Sequence, residues 1–207
     1  MKFIYLHGFA SSPASRKAQF FADKLRSAGA DVEVPALERD GFENLTVSGQ
    51  LRVIETVAAG KPVRMLGSSM GGYLAALYAS LHPEVEKLLL LAPAFGFAER
   101  WKLRLGEDQF SRWRDTGYME VQHYATNTVQ RVGFGLIRDG LQYPAEPAFA
   151  QAALIYHGLA DDVVPVDFSR HFVAKFPNAT LREKQSGHEL TDVMAEIWDE
   201  SKDFLLA

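Results

Sequence analysis

Val63-Arg64-Met65-Leu66-Gly67-Ser68-Ser69-Met70-Gly71-Gly72-Tyr73-Leu74-Ala75-Ala76-Leu77-Tyr78 is the stretch on which the fold turns. Val63–Leu66 reads as a short buried strand. From about Met70 onward the apolar residues Tyr73, Leu74, Leu77 and Tyr78 recur at helical spacing. Between them lies Gly67-x-Ser69-x-Gly71, the G-x-S-x-G spacing of a sharp strand-to-helix elbow. Such an elbow strains the backbone at the central serine so that its hydroxyl stands clear of the sheet. Glycines two residues to either side keep side chains away from the point where strand and helix nearly touch. The spacing alone is modest evidence, since a chain this long holds one by chance roughly 7% of the time at average glycine and serine usage. The strand running in and the helix running out remove most of that chance. Ser68 is off-register for the motif and reads as a packing or capping residue. No lysine makes the glycines a Walker-type phosphate loop, and their spacing is not that of a dinucleotide fingerprint.

Outward from the elbow, short apolar runs alternate with helical segments, the signature of βαβ units around a parallel sheet. Strands are expected at Phe3–Leu6, Val32–Pro35, Val63–Leu66, Lys87–Leu91, Ala153–Tyr156 and Thr180–Lys184. Helices are expected over about Ala14–Ala28, Val47–Ala59, Met70–His82, Asp167–Phe176 and Glu189–Leu205. Near-continuous apolar strands such as Leu88–Leu91 suit a sheet covered on both faces. The reading is therefore one α/β domain over residues 1–207, a three-layer α/β/α sandwich. Between Phe95 and Ala150 the rhythm breaks in a segment rich in aromatics and arginines, too long for an ordinary connection. Residues 96–150 are read as an inserted lid, with an ordinary crossover elaborated by extra packing as the competing reading.

Composition narrows the function classes. The chain has 207 residues, 47% hydrophobic and 23% charged, with a formal net charge of −4, which fits a globular domain with one sizeable core. Nothing in that balance marks a nucleic-acid or anionic-membrane partner. The absence of cysteine excludes disulfides and thiolate nucleophiles. The longest apolar run, Leu88–Phe95, falls short of the roughly 20 residues that cross a bilayer. The N-terminus has no signal-peptide core, so a cytoplasmic protein is expected.

A serine hydroxyl needs a base within hydrogen-bond reach. Of the six histidines, His82 precedes Pro83 at a helix end, His171 lies in a polar-faced helix and His123 in the irregular insert. His7 and His157 each precede a glycine at a strand end, where loop shaping is the expected role. His188, in Ser186-Gly187-His188 after the last strand, falls at the carboxyl edge of the sheet, where ligands bind in open α/β folds. A base of this kind needs a carboxylate to fix its tautomer, and Asp161 or Asp162 in the loop after the preceding strand supplies it. The chain order Ser, Asp, His matches one of the three common triads. An oxyanion would be met by two backbone N–H groups. One is that of Met70, at the helix N-terminus. The other comes from the loop His7-Gly8-Phe9-Ala10, with Phe9 foremost.

These residues resemble the α/β-hydrolase superfamily and, more narrowly, its small bacterial YqiA-like esterase branch. The resemblance is carried by Tyr5-Leu6-His7-Gly8-Phe9-Ala10-Ser11-Ser12-Pro13, Gly67–Gly72, His157–Pro165 and Ser186-Gly187-His188. It covers about residues 1–96 and 153–190 and lapses over the insert. In the family pattern H-G-x-x-D-x-x-V-P the first aspartate is the catalytic one, which implies Asp161, and the H-G-x loop supplies the second oxyanion donor, which implies Phe9. The resemblance also implies a parallel sheet of order 2-1-3-4-5-6, a minimal fold without extra N-terminal strands, and an esterase or thioesterase working on a small-molecule acyl ester without cofactor or metal. An acyltransferase, an amidase or peptidase, or a carbon–carbon bond hydrolase would use the same triad. A non-catalytic binding module is the remaining reading. The arginines and lysine at 100, 102, 104, 112 and 114 could greet an anionic substrate, although interleaved Glu99, Glu107 and Asp108 also suit a solvated helix face.

Overall fold

The computed structural model describes all residues, 1–207. In chain order it contains β1 (Lys2–Leu6), α1 (Arg16–Ser27), β2 (Asp31–Glu33), α2 (Val47–Ala58), β3 (Val63–Ser68), α3 (Met70–Leu81) and β4 (Val85–Leu91). There follow α4 (Phe97–Thr116), the hairpin β5 (Tyr118–His123) and β6 (Thr128–Gly133), and α5 (Gly135–Gly140). The chain closes with β7 (Ala152–Gly158), α6 (Asp167–Lys175), β8 (Ala179–Lys184) and α7 (Met194–Leu206). The main sheet has six strands in the order β2-β1-β3-β4-β7-β8, every pairing parallel. With the hairpin set aside as part of the insert, this is the expected order and the expected fold class.

Strand alternation divides the core between two covers. Ile4, Leu6, Met65, Leu88, Leu90 and Ile155 point into a cluster shared with α2, α3 and α6. Phe3, Tyr5, Leu66, Leu89, Leu91 and Tyr156 point into the other, shared with α1 and α7. Leu88–Leu91 are all fully buried, worth roughly 1.5–3 kcal/mol each. No helix is long and apolar enough to cross a membrane.

The elbow forms as its glycines require. Ser69 caps α3 with φ 54° and ψ −118°, a conformation that a non-glycine residue adopts only under constraint. A Cβ on Gly71 would fall on the Leu6 and His7 carbonyl oxygens, and one on Gly67 would fall on the Gly71 carbonyl. These obstacles are backbone atoms and cannot rotate away. Gly71→Ala is therefore expected to cost on the order of 3 kcal/mol or more, read as a large fall in melting temperature or loss of soluble protein. A Gly71→Ala variant melting like the wild type would contradict this packing.

The last helix differs from expectation. It starts at Met194, not near residue 189. Leu190 adopts φ 52°, and the Ser186 hydroxyl donates to Asp192 across the turn, so residues 187–193 form a loop that presents His188 before the helix begins. The insert also has more regular structure than the broken rhythm implied. α4 bends at Gly106, whose φ of 75° and ψ of 164° interrupt the helix. Trp113 is 1% exposed and donates its indole N–H to the Val132 carbonyl at 3.0 Å, which fastens α4 to the hairpin. The hairpin is tied to the loop after β1 by a 2.9 Å hydrogen bond from Tyr124 N–H to the Ala10 carbonyl.

Candidate active site

Three loops at the carboxyl ends of β3, β7 and β8 converge. Ser69 Oγ lies 3.0 Å from His188 Nε2, and His188 Nδ1 lies 2.7 Å from Asp161 Oδ2. The elbow lifts Ser69 off the sheet. The side chain of Asp161 is fully buried and that of His188 is 11% exposed. Asp162, the other acid left open by the residues alone, is exposed and has no part in the series.

Asp161 accepts from three donors and has a fourth polar group, a histidine, close by. Its Oδ1 accepts the N–H groups of Val163 at 2.9 Å and Val164 at 2.7 Å, the loop turning back on its own side chain. Its Oδ2 faces His188 and also His157 Nε2, at 3.1 Å. Burial alone would raise this carboxyl, but the nearby His157 ring and the hydrogen bonds from His188 and Val164 N–H outweigh it and hold the group well below the usual aspartate range. An ionised carboxylate only accepts, so Nδ1 of His188 carries a proton and Nε2 is free to accept from the serine hydroxyl.

His157 is fully buried. Its Nε2–H points at the Val164 carbonyl, 2.7 Å away, and its Nδ1 meets the Ser169 hydroxyl at 2.8 Å. It shapes the loop as expected. That its Nε2 also lies 3.1 Å from Asp161 Oδ2 is not legible in the sequence, where a histidine four residues before an acid in a loop carries no directional signal. His7 binds only loop backbone, Nδ1 to the Gly8 carbonyl at 3.0 Å and Nε2 to Leu37 N–H at 3.3 Å.

The loop after β1 lies against the elbow. A Cβ on Gly8 would stand 3.4 Å from Ser69 Cβ, which leaves the Gly8–Phe9 backbone beside the serine. Phe9 is kept in place by Phe42 and Trp101, with ring centroids 5.2 Å and 5.7 Å away. The Met70 N–H heads α3 directly after Ser69, one of the donors a helix leaves unpaired at its start.

Ser69, His188, Phe9 and Met70 open onto one cleft of about 1580 Å³. The insert supplies much of its wall, including Trp101, Leu105, Trp113, Met119 and Val121. Arg100 is committed elsewhere. Its guanidinium donates to the Val163 carbonyl in the Asp161 loop and sits 4.7 Å over the Phe168 ring. Lys102 and Arg114 pair with Glu107 and Asp115 at 2.8 Å and 2.9 Å, so both work as a solvated helix face. Arg104 and Arg112 remain at the cleft.

The profile of the uncharacterised protein family UPF0227 matches residues 2–205. No curated protein matches the chain. A protein of Agrobacterium vitis S4 superposes with a TM-score of 0.84 at 20% identity, over 99% of this chain and 87% of that one. Est1E from Butyrivibrio proteoclasticus superposes at 0.80 with 20% identity, over 99% and 86%. The mouse alpha/beta hydrolase domain-containing protein 10 does so at 0.80 with 18% identity, over 98% and 90%. At these identities the likeness is one of fold.

Proposed function

We propose that this chain, which belongs to the family UPF0227 and has the α/β-hydrolase fold, is a serine hydrolase that cleaves a carboxylic ester or thioester through an acyl-Ser69 intermediate. The observation that carries this reading is the hydrogen-bonded series Asp161–His188–Ser69, with links of 2.7 Å and 3.0 Å. As Ser69 Oγ attacks the carbonyl carbon, its proton passes to His188 Nε2 and the carbonyl electron pair moves onto oxygen. The N–H groups of Phe9 and Met70 receive that oxyanion, and both are fixed before reaction, which is where such donors are most effective. Collapse breaks the bond to the alcohol or thiol, which leaves with the proton from His188. Water then attacks the acyl-serine, gives its proton to His188 and releases the acid, while Ser69 regains its hydrogen. Asp161 stays ionised throughout and balances the imidazolium. In this reading residues 96–150 act as the lid of the substrate cleft.

The test is covalent capture. A fluorophosphonate, and acyl donors of graded length, are expected to add one group per chain by intact mass, mapped to the peptide carrying Ser69 and absent from Ser69→Ala. Folded protein left unlabelled, or labelled at another residue, would overturn the reading.

A further inference from the structure

Beside Ser69, on the side facing α1, the cleft contains polar side chains that the acyl-serine chemistry does not use. Lys17 follows the Ser15 cap in the first turn of α1 and is 8% exposed. Its one ion-pair partner is Glu189, 3.5 Å away, whose own side chain is 73% exposed. A solvated carboxylate at the long end of ion-pair distance compensates a buried ammonium incompletely. Burial accordingly pushes the Lys17 ammonium down, with Glu189 and Asp161 pulling against that shift. Tyr5, at the carboxyl end of β1, is 1% exposed and its buried hydroxyl has no hydrogen-bond partner. Its ring is stacked on Phe21, which fixes where the hydroxyl points. Ser68, 4% exposed, brings its own hydroxyl toward that of Tyr5 as its polar neighbour, short of a well-formed hydrogen bond. Lys17, Tyr5 and Ser68 all line the cleft that holds Ser69 and His188.

A buried phenol without a well-formed hydrogen bond and a buried ammonium with a weak partner both cost folding free energy, and native structures leave few such groups. The shortfall is relieved if an acceptor arrives with the substrate. We infer that Lys17, Tyr5 and Ser68 form a subsite for a carboxylate carried by the substrate, an inference that rests on the acyl-serine reading of the same cleft. One ammonium and two hydroxyls match a planar monoanion, which replaces Glu189 as the partner of Lys17 while Glu189 turns to solvent. A phosphate dianion would bring a second negative charge toward Asp161 and Glu189. Ser68, expected to pack or cap, becomes a ligand in this arrangement.

The experiment compares kcat/KM for matched esters on the full chain. One series sets p-nitrophenyl hydrogen succinate against p-nitrophenyl butyrate, with the carboxylate on the acyl side. The other sets 4-carboxyphenyl butyrate against phenyl butyrate, with the carboxylate on the leaving group. The ratio of charged to neutral substrate is taken for each variant and divided by the wild-type ratio, which cancels intrinsic reactivity. In one of the two series Lys17→Met is expected to lower this ratio about tenfold or more, mainly through KM, with partial recovery in Lys17→Arg. Tyr5→Phe, which removes only an unpaired oxygen, is expected to lower it severalfold without reducing the melting temperature, and it carries the test if Lys17→Met fails to fold. Ratios within twofold of wild type in both series for the folded variants would overturn the subsite. So would a wild-type protein that hydrolyses neither carboxylate ester, or a Tyr5→Phe variant that loses stability while keeping its ratio. Turnover that survives Ser69→Ala would instead remove the acyl-serine reading, a result separable from all of these.

Discussion

Ser69→Ala is expected to lower kcat on activated esters by about 10⁴-fold or more while the protein still folds. The size follows from what is removed. In the proposed acyl-serine route the hydroxyl is the attacking group, and its single hydrogen bond is the 3.0 Å contact to His188 Nε2. Alanine at this position leaves no bond-forming atom, while the N–H groups of Phe9 and Met70 remain and sustain a small residual rate. The fold is spared because the strained φ of 54° belongs to the backbone and is imposed by the glycine contacts around it, which alanine does not disturb. Steady-state rates on p-nitrophenyl esters, with circular dichroism melts of both proteins, provide the check. A folded variant with wild-type turnover would remove Ser69 from the chemistry.

Asp161→Asn is the second large effect, expected at about 10⁴-fold in kcat. The argument depends on which atom of the amide goes where. The Val163 and Val164 N–H groups both donate to Oδ1, so the amide oxygen must occupy that place. The NH₂ then falls at the Oδ2 position, facing His188 Nδ1 with His157 Nε2 close by. A donor there requires Nδ1 of His188 to accept, which transfers the ring proton to Nε2 and points it at the serine oxygen. The base is then in the wrong tautomer with its geometry nearly unchanged. Loss of rate, with retained fluorophosphonate labelling slowed by a comparable factor, is the expected pattern. A variant within tenfold of wild type would show that the carboxylate does not set the tautomer.

The same hydrogen bonds give the sign of the pH effect. Asp161 is held below its unfolded value of about 3.9, so its contribution to stability is complete above that pH and is lost only as pH falls through the lower folded value. Asp161 therefore stays ionised across the neutral and mildly acidic range. A fall in activity between about pH 8 and 5 has to come from a group other than this one.

Much of this molecule was legible before any coordinates. The parallel sheet follows from the alternation of apolar runs and helical segments, its strand order is what the family resemblance implies, and the elbow follows from two glycines bracketing Ser69. Both are local signals, set by the period of side chains along a strand or helix and by the space a Cβ needs. The last helix starts later than its sequence suggests because Glu189 and Leu190 satisfy helical spacing, whereas Leu190 takes a left-handed turn as its side chain packs into the core between α1 and α7. The insert was legible only as a break in rhythm. Its hairpin and bent helix are held by long-range bonds, such as Trp113 to Val132 and Tyr124 to Ala10.

By itself the sequence determined the parallel sheet, the elbow and the order in which a serine, an acid and a histidine reach one edge, because strand and turn chemistry act over a few residues. The tertiary structure decided which atoms meet. It buried Asp161 and left Asp162 in water, brought His188 to a serine 119 positions away, turned His157 onto the same carboxylate, and left Lys17 and Tyr5 underpartnered beside Ser69. Those outcomes depend on distances between segments far apart in the chain, and no periodicity encodes them.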